Sequence, residues 1–303
     1  LHTLAYGTDA SFYRLIPKIV IKTDNAKEVQ DIIELSNSMN LSITFRAGGT
    51  SLSGQAISDS ILIVTSRNFS NFKIAADVSY ISLEPALTGA QVNGLLARYS
   101  KKIGPDPASI NAAMIGGIAA NNASGMCCGI SQNSYKTLKS MKLIFGDGTK
   151  LDTACEESKN SFRKTHGDFL KDLKSFSDDT KANEELRAKI ERKYKIKNTC
   201  GYSLNALIDF NDEFEILEHL IIGSEGTLAF IEEITYYTVE DLKDKASSLI
   251  YFKDISEACS AVTKLKLAKE AKTINVEAVE LMDRAGLASI ENDPAMPAYI
   301  KDF

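Results

Sequence analysis

The first part of the chain alternates short apolar runs with one amphipathic stretch. Runs of strand length predict strands at 18–23, 41–47 and 60–66. Residues 25–40 carry apolar side chains at helical spacing, which predicts a helix with one covered face: Val29, Ile32, Ile33 and Met39. Asn25 is placed to cap this helix, with Glu28 completing a capping box. The pattern therefore predicts a strand-helix-strand unit, a loop and a further strand.

A second unit of mixed pattern follows. "YISLEPALTG" (80–89) predicts a strand that ends in a turn, and Thr88 with Gln91 forms a capping-box signal for the helix that follows it. We expect Val92, Leu95, Leu96 and Tyr99 to share one side of that helix. The stretch 139–153 predicts a hairpin, because an Asp-Gly turn joins two strand-like runs.

The later part of the chain has three different patterns. Residues 156–200 are rich in charge and predict a solvated helical insertion without chemistry of its own. Residues 219–239 have strand-like patterning around a Gly-Ser-Glu-Gly turn. The pattern changes after residue 240, so we expect a domain boundary near 240–246, followed by a strand and a helix capped by Ser256.

Composition narrows the class of protein. Hydrophobic residues make up 44% of the 303 positions, which favours a globular fold with a sizeable core. The net charge of −5 argues against nucleic acid as the main partner, because phosphate backbones are held by clustered basic residues. No apolar run reaches the roughly 20 residues needed to span a bilayer. Any membrane contact is therefore expected to be peripheral.

Cysteine and histidine usage gives no sign of a disulfide framework or a metal site. The five cysteines form no C-x-x-C pair, which favours a reducing cytosol. We expect the adjacent Cys127 and Cys128 to be two packed thiols, because a disulfide between neighbours is strained. His2, His166 and His219 lack metal-ligand spacing. We predict no metal ligand in this chain.

The loop "FRAGGTSLSGQ" (45–55) contains the first candidate chemistry. A P-loop is excluded because the chain has no Gly-Lys pair, and the dinucleotide fingerprint is excluded by the spacing of Gly48, Gly49 and Gly54. Two interpretations remain open. One is a glycine loop that wraps a pyrophosphate with its backbone N–H groups, helped by the hydroxyls of Thr50 and Ser51. The other is an ordinary surface turn.

Two further stretches of small residues favour the ligand-binding interpretation over the surface turn. Residues 104–125 contain "AAMIGGIAANNASG", which suits backbone pressed against a flat ligand, although a tightly packed buried segment is the alternative. "GSEGTLAFI" (223–231) adds a third turn of the same kind. Three such turns on strand-rich segments indicate one extended ligand of dinucleotide length.

The ordered motifs also resemble a known family. "RAGGTSLSGQ", "GPDPAS…IGGIAANNASGMCCG", "FGDGT" and "IIGSEGTLAFI" are similar to the FAD-binding domain of the vanillyl-alcohol oxidase type, also called the PCMH type. The chain more closely resembles the family of FAD-linked D-lactate dehydrogenases and of the FAD-linked component of glycolate oxidase. "KNTCGYSLNALIDF" is similar to its large members, which carry a C-terminal iron–sulfur half.

The resemblance implies an α+β fold. It implies a two-subdomain PCMH-type FAD-binding domain over 1–240, with subdomains of about 1–75 and 76–240 and a helical insertion of about 156–200. It also implies that 246–303 is the incomplete beginning of an α+β substrate or cap domain. We therefore expect the chain to be the flavin-binding portion of a larger enzyme.

The resemblance further implies the cofactor-binding residues. The predicted set is Gly48, Gly49, Thr50, Ser51, Leu52, Pro85, Leu87, Pro107, Ile115, Gly116, Gly117, Asn121, Asn122, Ser124, Gly125, Glu225, Gly226, Thr227 and Ile231. Ala47, Ala86, Asn121 and Ala229 replace residues that are commoner in the family, and each replacement is small or polar. No histidine lies beside the first loop, so non-covalent FAD is expected.

The implied reaction is oxidation of a D-2-hydroxy acid, D-lactate or D-2-hydroxyglutarate, by hydride transfer to flavin N5. The implied acceptor is a downstream iron–sulfur domain or a quinone, and the implied location is cytoplasmic or peripheral at the inner membrane. No catalytic residue is identified; Glu277, Glu280 and Asp283 are expected to be helix-start or solvated carboxylates. Two alternatives stay open: a non-catalytic FAD-binding module, and a sugar- or alditol-oxidising or cell-wall reductase relative on the same scaffold.

Overall fold

The chain divides into two units in a computed structural model, which describes residues 1–125, 129–290 and 292–294. The units are Leu1–Lys243 and Asp244–Phe303. Cys127 and Cys128, whose packing is expected from the sequence, lie outside the described residues, as does the end of the expected cap. In the part of the chain that the structure describes, no helix is long and apolar enough to cross a membrane.

The first unit contains all the described strands and most of the helices. The strands are β1 Ile19–Thr23, β2 Ile43–Arg46, β3 Ile61–Thr65, β4 Phe72–Ile74, β5 Tyr80–Leu83, β6 Lys101–Ile103, β7 Leu138–Phe145, β8 Lys150–Asp152 and β9 Ala229–Glu240. Its helices are α1 His2–Ala5, α2 Ala26–Ser38, α3 Gly89–Leu96, α4 Ile115–Asn121, α5 Ser134–Thr137, α6 Glu156–Thr165, α7 Gly167–Ala182, α8 Glu184–Lys193, α9 Ala206–Asp209 and α10 Glu213–Ile221. A 3-10 turn at Ala97–Tyr99 follows α3.

The smaller sheet is the predicted strand-helix-strand unit. Its three parallel strands have the order β1-β3-β2, and every residue of the central β3 is buried. The α2 helix is capped as predicted, since the Asn25 side chain accepts from the Glu28 N–H. The reciprocal bond differs from a capping box, because the Glu28 carboxylate accepts from the Asp24 N–H rather than from that of Asn25. The prediction for Met39 is wrong: it lies just beyond the last helical residue, at the C-cap, and is 58% exposed.

The larger sheet is antiparallel and is organised around one long strand. The 12-residue β9 pairs with β5, β6 and β7, while β4 and β8 form the edges of the main path β4-β5-β9-β7-β8. The hairpin predicted at 139–153 is confirmed as β7 and β8. The capping box of Thr88 and Gln91 at the start of α3 is also confirmed. The α+β class expected from the sequence is therefore confirmed.

Two groups of buried side chains hold this unit together. The larger one lies against the antiparallel sheet and includes Ile81, Leu143 and Tyr236. The smaller one joins α2 to the larger sheet through six side chains: Val29, Ile33, Phe69, Ala86, Ile144 and Phe230. The Phe230 ring lies 5.0 Å from that of Phe45 and 6.0 Å from that of Phe69, between centroids. This second group keeps the loop after β2 close to the turn before β9.

Two sequence expectations in this unit need correction. The stretch 156–200 is not simply solvated, because α6, α7 and α8 each bury an apolar anchor: Phe162, Leu170 and Ile190. The strand predicted from residue 219 onward is wrong over its first residues, because residues 219–221 belong to α10. That helix buries residues at helical spacing, including Phe214, Leu217 and Ile221, so the apolar run continues a helix before the turn.

The second unit contains α11 Ile255–Glu270 and α12 Arg284–Ser289. The cap of α11 is Asp254, which accepts from the Glu257 N–H, and not Ser256 as expected. Asp283 caps α12, which agrees with its expected helix-start role. No described residue from 244 onward is buried, and the expected strand after 246 is not formed in that described part. The domain limits inferred from the sequence stay predictions.

Candidate functional site

The first glycine loop leaves a row of backbone donors free. The loop lies between β2 and β3, and the N–H groups of residues 48–52 donate to no acceptor among the described residues. Gly49 has a φ of +66°, a conformation that side-chain-bearing residues rarely adopt. A Cβ on Gly48 would come within 2.4 Å of the Ala112 carbonyl oxygen, so this loop approaches the second small-residue segment through bare backbone.

An arginine fixes the base of this loop. Arg46 Nη1 donates to the carbonyl oxygens of Thr8, at 2.7 Å, and Ala56, at 3.2 Å. Burial lowers the pKa of its guanidinium from the usual value, with nearby Asp9 opposing that shift. The guanidinium occupies the space that a Cβ on Gly49 would need, at 2.4 Å. The loop therefore requires glycine there for both backbone conformation and space.

The second segment lies against this loop through α4. The Ile115 N–H donates to Leu87 O at 2.8 Å and the Gly116 N–H to Pro85 O at 3.0 Å, so the start of α4 is tied to the turn after β5. The Gly117 N–H donates to no acceptor among the described residues. A Cβ at Gly117 would be 3.5 Å from the Ala47 Cβ, which places this free donor next to the first loop.

The third turn closes onto the end of α4. The N–H groups of Gly223 and Glu225 donate to Ala119 O and Ala120 O, at 3.1 and 2.8 Å. Glu225 has a φ of +55°, which is uncommon for a residue with a side chain and turns the chain sharply. A Cβ on Gly226 would lie 3.4 Å from the Phe45 ring. The turn is thus packed against the strand that leads into the first loop.

One carboxylate connects all three segments. Glu225 Oε1 accepts from Asn121 Nδ2 at 2.6 Å and from Gln55 Nε2 at 3.4 Å. Burial raises the pKa of the Glu225 carboxyl, and the two amide hydrogen bonds oppose that shift. Gln55 in turn accepts from the Ser51 hydroxyl and from the Ser53 N–H, so the carboxylate is linked to the first loop. We call Gln55, Asn121 and Glu225 the glutamate clasp.

The predicted site residues divide into two groups by exposure. The first group is exposed or half-buried around the clasp and the free donors: Gly48, Gly49, Thr50, Ser51, Leu52, Gly116, Gly117, Asn121, Ser124, Gly125, Glu225, Gly226 and Thr227. The second group is buried: Pro85, Leu87, Pro107, Ile115, Asn122 and Ile231. Leu87, Ile115 and Ile231 belong to the main core, and Asn122 Oδ1 accepts from the Tyr135 N–H. Their cofactor roles stay predictions.

Sequence reasoning missed a segment that borders this site. Lys197 Nζ donates to Ser124 O at 2.8 Å, and the Tyr202 hydroxyl is hydrogen-bonded to Thr227 Oγ1 at 2.9 Å. Both residues lie in the stretch "KNTCGYSLNALIDF", which begins inside the insertion that the charge pattern predicts to be without chemistry. The available signal was its change from charged helix to a glycine-containing polar and aromatic stretch. We call residues 194–204 the bordering segment.

The chemistry of these donors fits a dinucleotide that carries a pyrophosphate. Free backbone N–H groups at residues 48–52 and at Gly117 point to an anion in need of several hydrogen bonds, and glycine allows close approach. The Thr50 hydroxyl adds a further donor at the same loop, whereas the Ser51 hydroxyl donates to Gln55. FAD therefore fits the residues that are present.

Comparison with known proteins also indicates FAD binding. Residues 17–154 match the family model described as an FAD binding domain. The chain is 25% identical over 289 residues to a D-2-hydroxyglutarate dehydrogenase of Pantoea ananatis, covering 91% of this chain and 27% of that protein. It is 23% identical over 271 residues to a D-lactate dehydrogenase of Archaeoglobus fulgidus, covering 88% and 47%. The chain thus spans about a quarter to a half of these curated relatives.

A solved structure shares the fold. An alkyldihydroxyacetonephosphate synthase has a TM-score of 0.53 and 17% identity, over 84% of this chain and 38% of that one. At this identity the likeness concerns architecture alone. The motifs, the α+β fold and the family match agree with one another. The match of residues 17–154 to the FAD binding domain family therefore confirms, over that segment, the PCMH-type resemblance indicated by the sequence.

Proposed function

We propose that this chain is the flavin-binding portion of an FAD-dependent dehydrogenase that oxidises a D-2-hydroxy acid to the 2-oxo acid. The observation that carries the proposal is the convergence of three small-residue turns on the carboxylate of Glu225, beside unpaired backbone donors. The dehydrogenases among the similar proteins, named for D-2-hydroxyglutarate and D-lactate, support the substrate class.

Each part of the site has a task in this proposal. The N–H groups of residues 48–52 and of Gly117 bind the FAD pyrophosphate, with the hydroxyl of Thr50 as an additional donor. The glutamate clasp keeps the three segments in register, so these donors are oriented before the cofactor arrives. When bound there, FAD would supply the hydride acceptor for oxidation of the hydroxyl-bearing carbon. The attachment is non-covalent in this proposal.

The partners and location form part of the same proposal. Electrons pass to a downstream iron–sulfur domain or to a quinone, and the protein works in the cytoplasm, with any membrane contact peripheral. Cys155, Cys200 and Cys259 are free thiols, which suits a reducing compartment.

Two measurements on the 303-residue chain test the proposal. The first is FAD binding by equilibrium dialysis after reconstitution, with riboflavin as a comparison ligand. The second is anaerobic addition of D-lactate or D-2-hydroxyglutarate to the FAD complex, with the L-enantiomers as controls. Loss of the oxidised flavin absorbance with the D-acids alone is the expected result. A chain that retains no FAD under any condition contradicts the proposal.

A second candidate function is a non-catalytic FAD-binding module. It is favoured by the placement of Glu225, whose Oε1 accepts from Asn121 and Gln55, because these bonds give the carboxylate a positioning task. An unchanged flavin spectrum with every D-acid, together with tight FAD binding, supports this candidate. Reduction by an alditol or by NADPH supports instead a sugar-oxidising or cell-wall reductase relative.

A further inference from the structure

The bordering segment is held in one conformation by a tyrosine hydroxyl. Tyr194 Oη donates to Tyr202 O at 2.7 Å and accepts from the Leu204 N–H at 3.0 Å. Burial raises the pKa of Tyr194, so its hydroxyl keeps the proton that it donates. Gly201 has a φ of +76°, which lets the chain reverse before Tyr202. The segment is therefore an ordered loop whose ends are fastened together.

Three side chains attach this loop to the proposed cofactor site. Lys197 reaches Ser124 O, and Tyr202 reaches Thr227 Oγ1. The buried Ser203 donates from Oγ to Ile222 O at 2.7 Å, directly before the third turn. Thr227 Oγ1 is also bonded to Ser224 O at 2.7 Å, so the Tyr202 hydroxyl joins a group that the turn already fixes. The loop thus contacts both the second segment and the third turn.

Lys197 has the charge and the free hydrogens to bind an anion there. Its side chain is exposed, and its ammonium forms an ion pair with no carboxylate among the described residues. Bonding to Ser124 O uses one of the three ammonium hydrogens, which leaves two for another acceptor. Lys195, two residues earlier, is also exposed but has no hydrogen bond within the described structure. The position of Lys197 is therefore specific to the site and is not a general feature of a basic loop.

We propose that residues 197–203 of the bordering segment form a further wall of the cofactor site and that Lys197 binds an oxyanion there, with Tyr202 positioning the third turn beside it. The oxyanion is a phosphate of the cofactor or the carboxylate of the hydroxy acid, which share the same chemistry of a charge-assisted N–H···O bond. This inference rests on the proposed function, because it takes the three turns as the FAD site.

The experiment compares Lys197→Gln, Lys197→Arg and the matched control Lys195→Gln in the 303-residue chain. Binding of FAD, FMN and riboflavin is measured for each protein at low and high salt, and far-UV circular dichroism verifies folding. Oxalate, a dianion that resembles an oxidised hydroxy acid, is then titrated into each FAD complex while the flavin spectrum is followed. Loss of a charge-assisted bond is expected to weaken the affected ligand about tenfold or more.

The outcomes separate the two sources of the anion. If the partner is a cofactor phosphate, Lys197→Gln weakens FAD binding but not riboflavin binding, and the loss shrinks at high salt. If the partner is the substrate carboxylate, FAD binding is unchanged and the response to oxalate weakens. Lys197→Arg retains the wild-type behaviour in either case, and so does Lys195→Gln.

Two results overturn the inference for different reasons. Equal FAD and oxalate binding by wild type, Lys197→Gln and Lys195→Gln shows that Lys197 binds no anion, while the proposed function stands. A wild-type chain that binds neither FAD nor riboflavin contradicts the proposed function itself, and the inference fails with it.

Discussion

The Asn121 amide donates to the Glu225 carboxylate across 2.6 Å, although the two residues are 104 positions apart in the chain. The same oxygen also accepts from Gln55, which is 170 positions from Glu225. Half-burial of this carboxylate makes each bond stronger than a surface contact, because less water competes for the acceptor. The Glu225 side chain thus links the third turn to both of the other segments.

We expect Glu225→Ala to weaken FAD binding about tenfold or more, because it removes the shared acceptor of two amides. Glu225→Gln should retain much of the affinity, since its carbonyl oxygen can accept the bond from Asn121. Equilibrium dialysis against FAD measures both effects. Glu185→Ala is the matched control, because Glu185 is exposed in the first turn of α8, away from the clasp. Equal affinities for Glu225→Ala and the control contradict a positioning role.

Gly117→Ala and Gly94→Ala form a second pair that separates binding from folding. A methyl group at Gly117 would make an ordinary 3.5 Å contact with Ala47, whereas one at Gly94 would meet nothing within 4 Å. Both changes replace a helical glycine, so each should raise the free energy of unfolding by about 0.5–1 kcal/mol. The methyl at position 117 lies beside a free N–H of the proposed pyrophosphate site and should reduce FAD affinity, while Gly94→Ala should not.

Thermal unfolding and FAD binding, measured together, check this pair. The discriminating result is a stable Gly117→Ala protein with weakened FAD binding. If Gly117→Ala binds FAD as tightly as Gly94→Ala does, the N–H of Gly117 does not face the cofactor.

Local signals were the part of the fold that the sequence could predict. The Thr88–Gln91 capping box depends on four consecutive residues, so its pattern is sufficient to locate the start of α3. Coverage of a helix face depends on distant partners and was predicted less well. Met39 and Tyr99 continue the apolar spacing of their helices, but they lie beyond the last residues of α2 and α3 and are 58% and 40% exposed.

The site could be predicted only in outline for the same physical reason. Glycine content marked the loop at Gly48 and Gly49, since close backbone approach requires that residue type. The bonds that bring the turns together have no local pattern: Lys197 contacts Ser124 across 73 positions, and Gln55 contacts Glu225 across 170. Such pairs follow from the path of the sheets and not from the spacing of residues along the chain.

Phe230 should be essential for joining α2 to the larger sheet. Its ring is 5% exposed and lies between Phe45 and Phe69 in the smaller group of buried side chains. Phe230→Ala is expected to lower the free energy of unfolding by about 3–5 kcal/mol, because it removes a buried ring and leaves a cavity. Phe12→Ala is the control: Phe12 is fully exposed, and its removal should change stability by less than about 0.5 kcal/mol. Urea unfolding of the two variants measures the difference, and similar values contradict the assigned role of Phe230.

Glu218 should make the stability of the fold depend on pH. Burial raises the pKa of its carboxyl from the ordinary 4.5 to about 7, while a hydrogen bond from Thr153 and the charge of Lys159 oppose the shift. The folded chain therefore keeps a proton that the unfolded chain loses near pH 4.5. The stabilisation from this protonated group is complete below that pH and is lost as the pH rises to about 7, with a size on the order of 3 kcal/mol.

The neighbouring His219 acts in the opposite direction, so the two groups must be separated by a variant. Burial lowers the pKa of His219 from 6.5 to about 4, and its contribution to stability is lost as the pH falls through that range. Glu218→Gln removes the carboxyl titration and leaves that of His219. Relative to wild type, we expect this variant to gain about 2–3 kcal/mol of unfolding free energy between pH 5 and pH 8. Glu157→Gln, an exposed change in α6, should follow the wild-type profile. Urea unfolding at the two pH values measures the gain, and a Glu218→Gln curve parallel to that of wild type would mean that the Glu218 carboxyl is already ionised in the folded chain at pH 5.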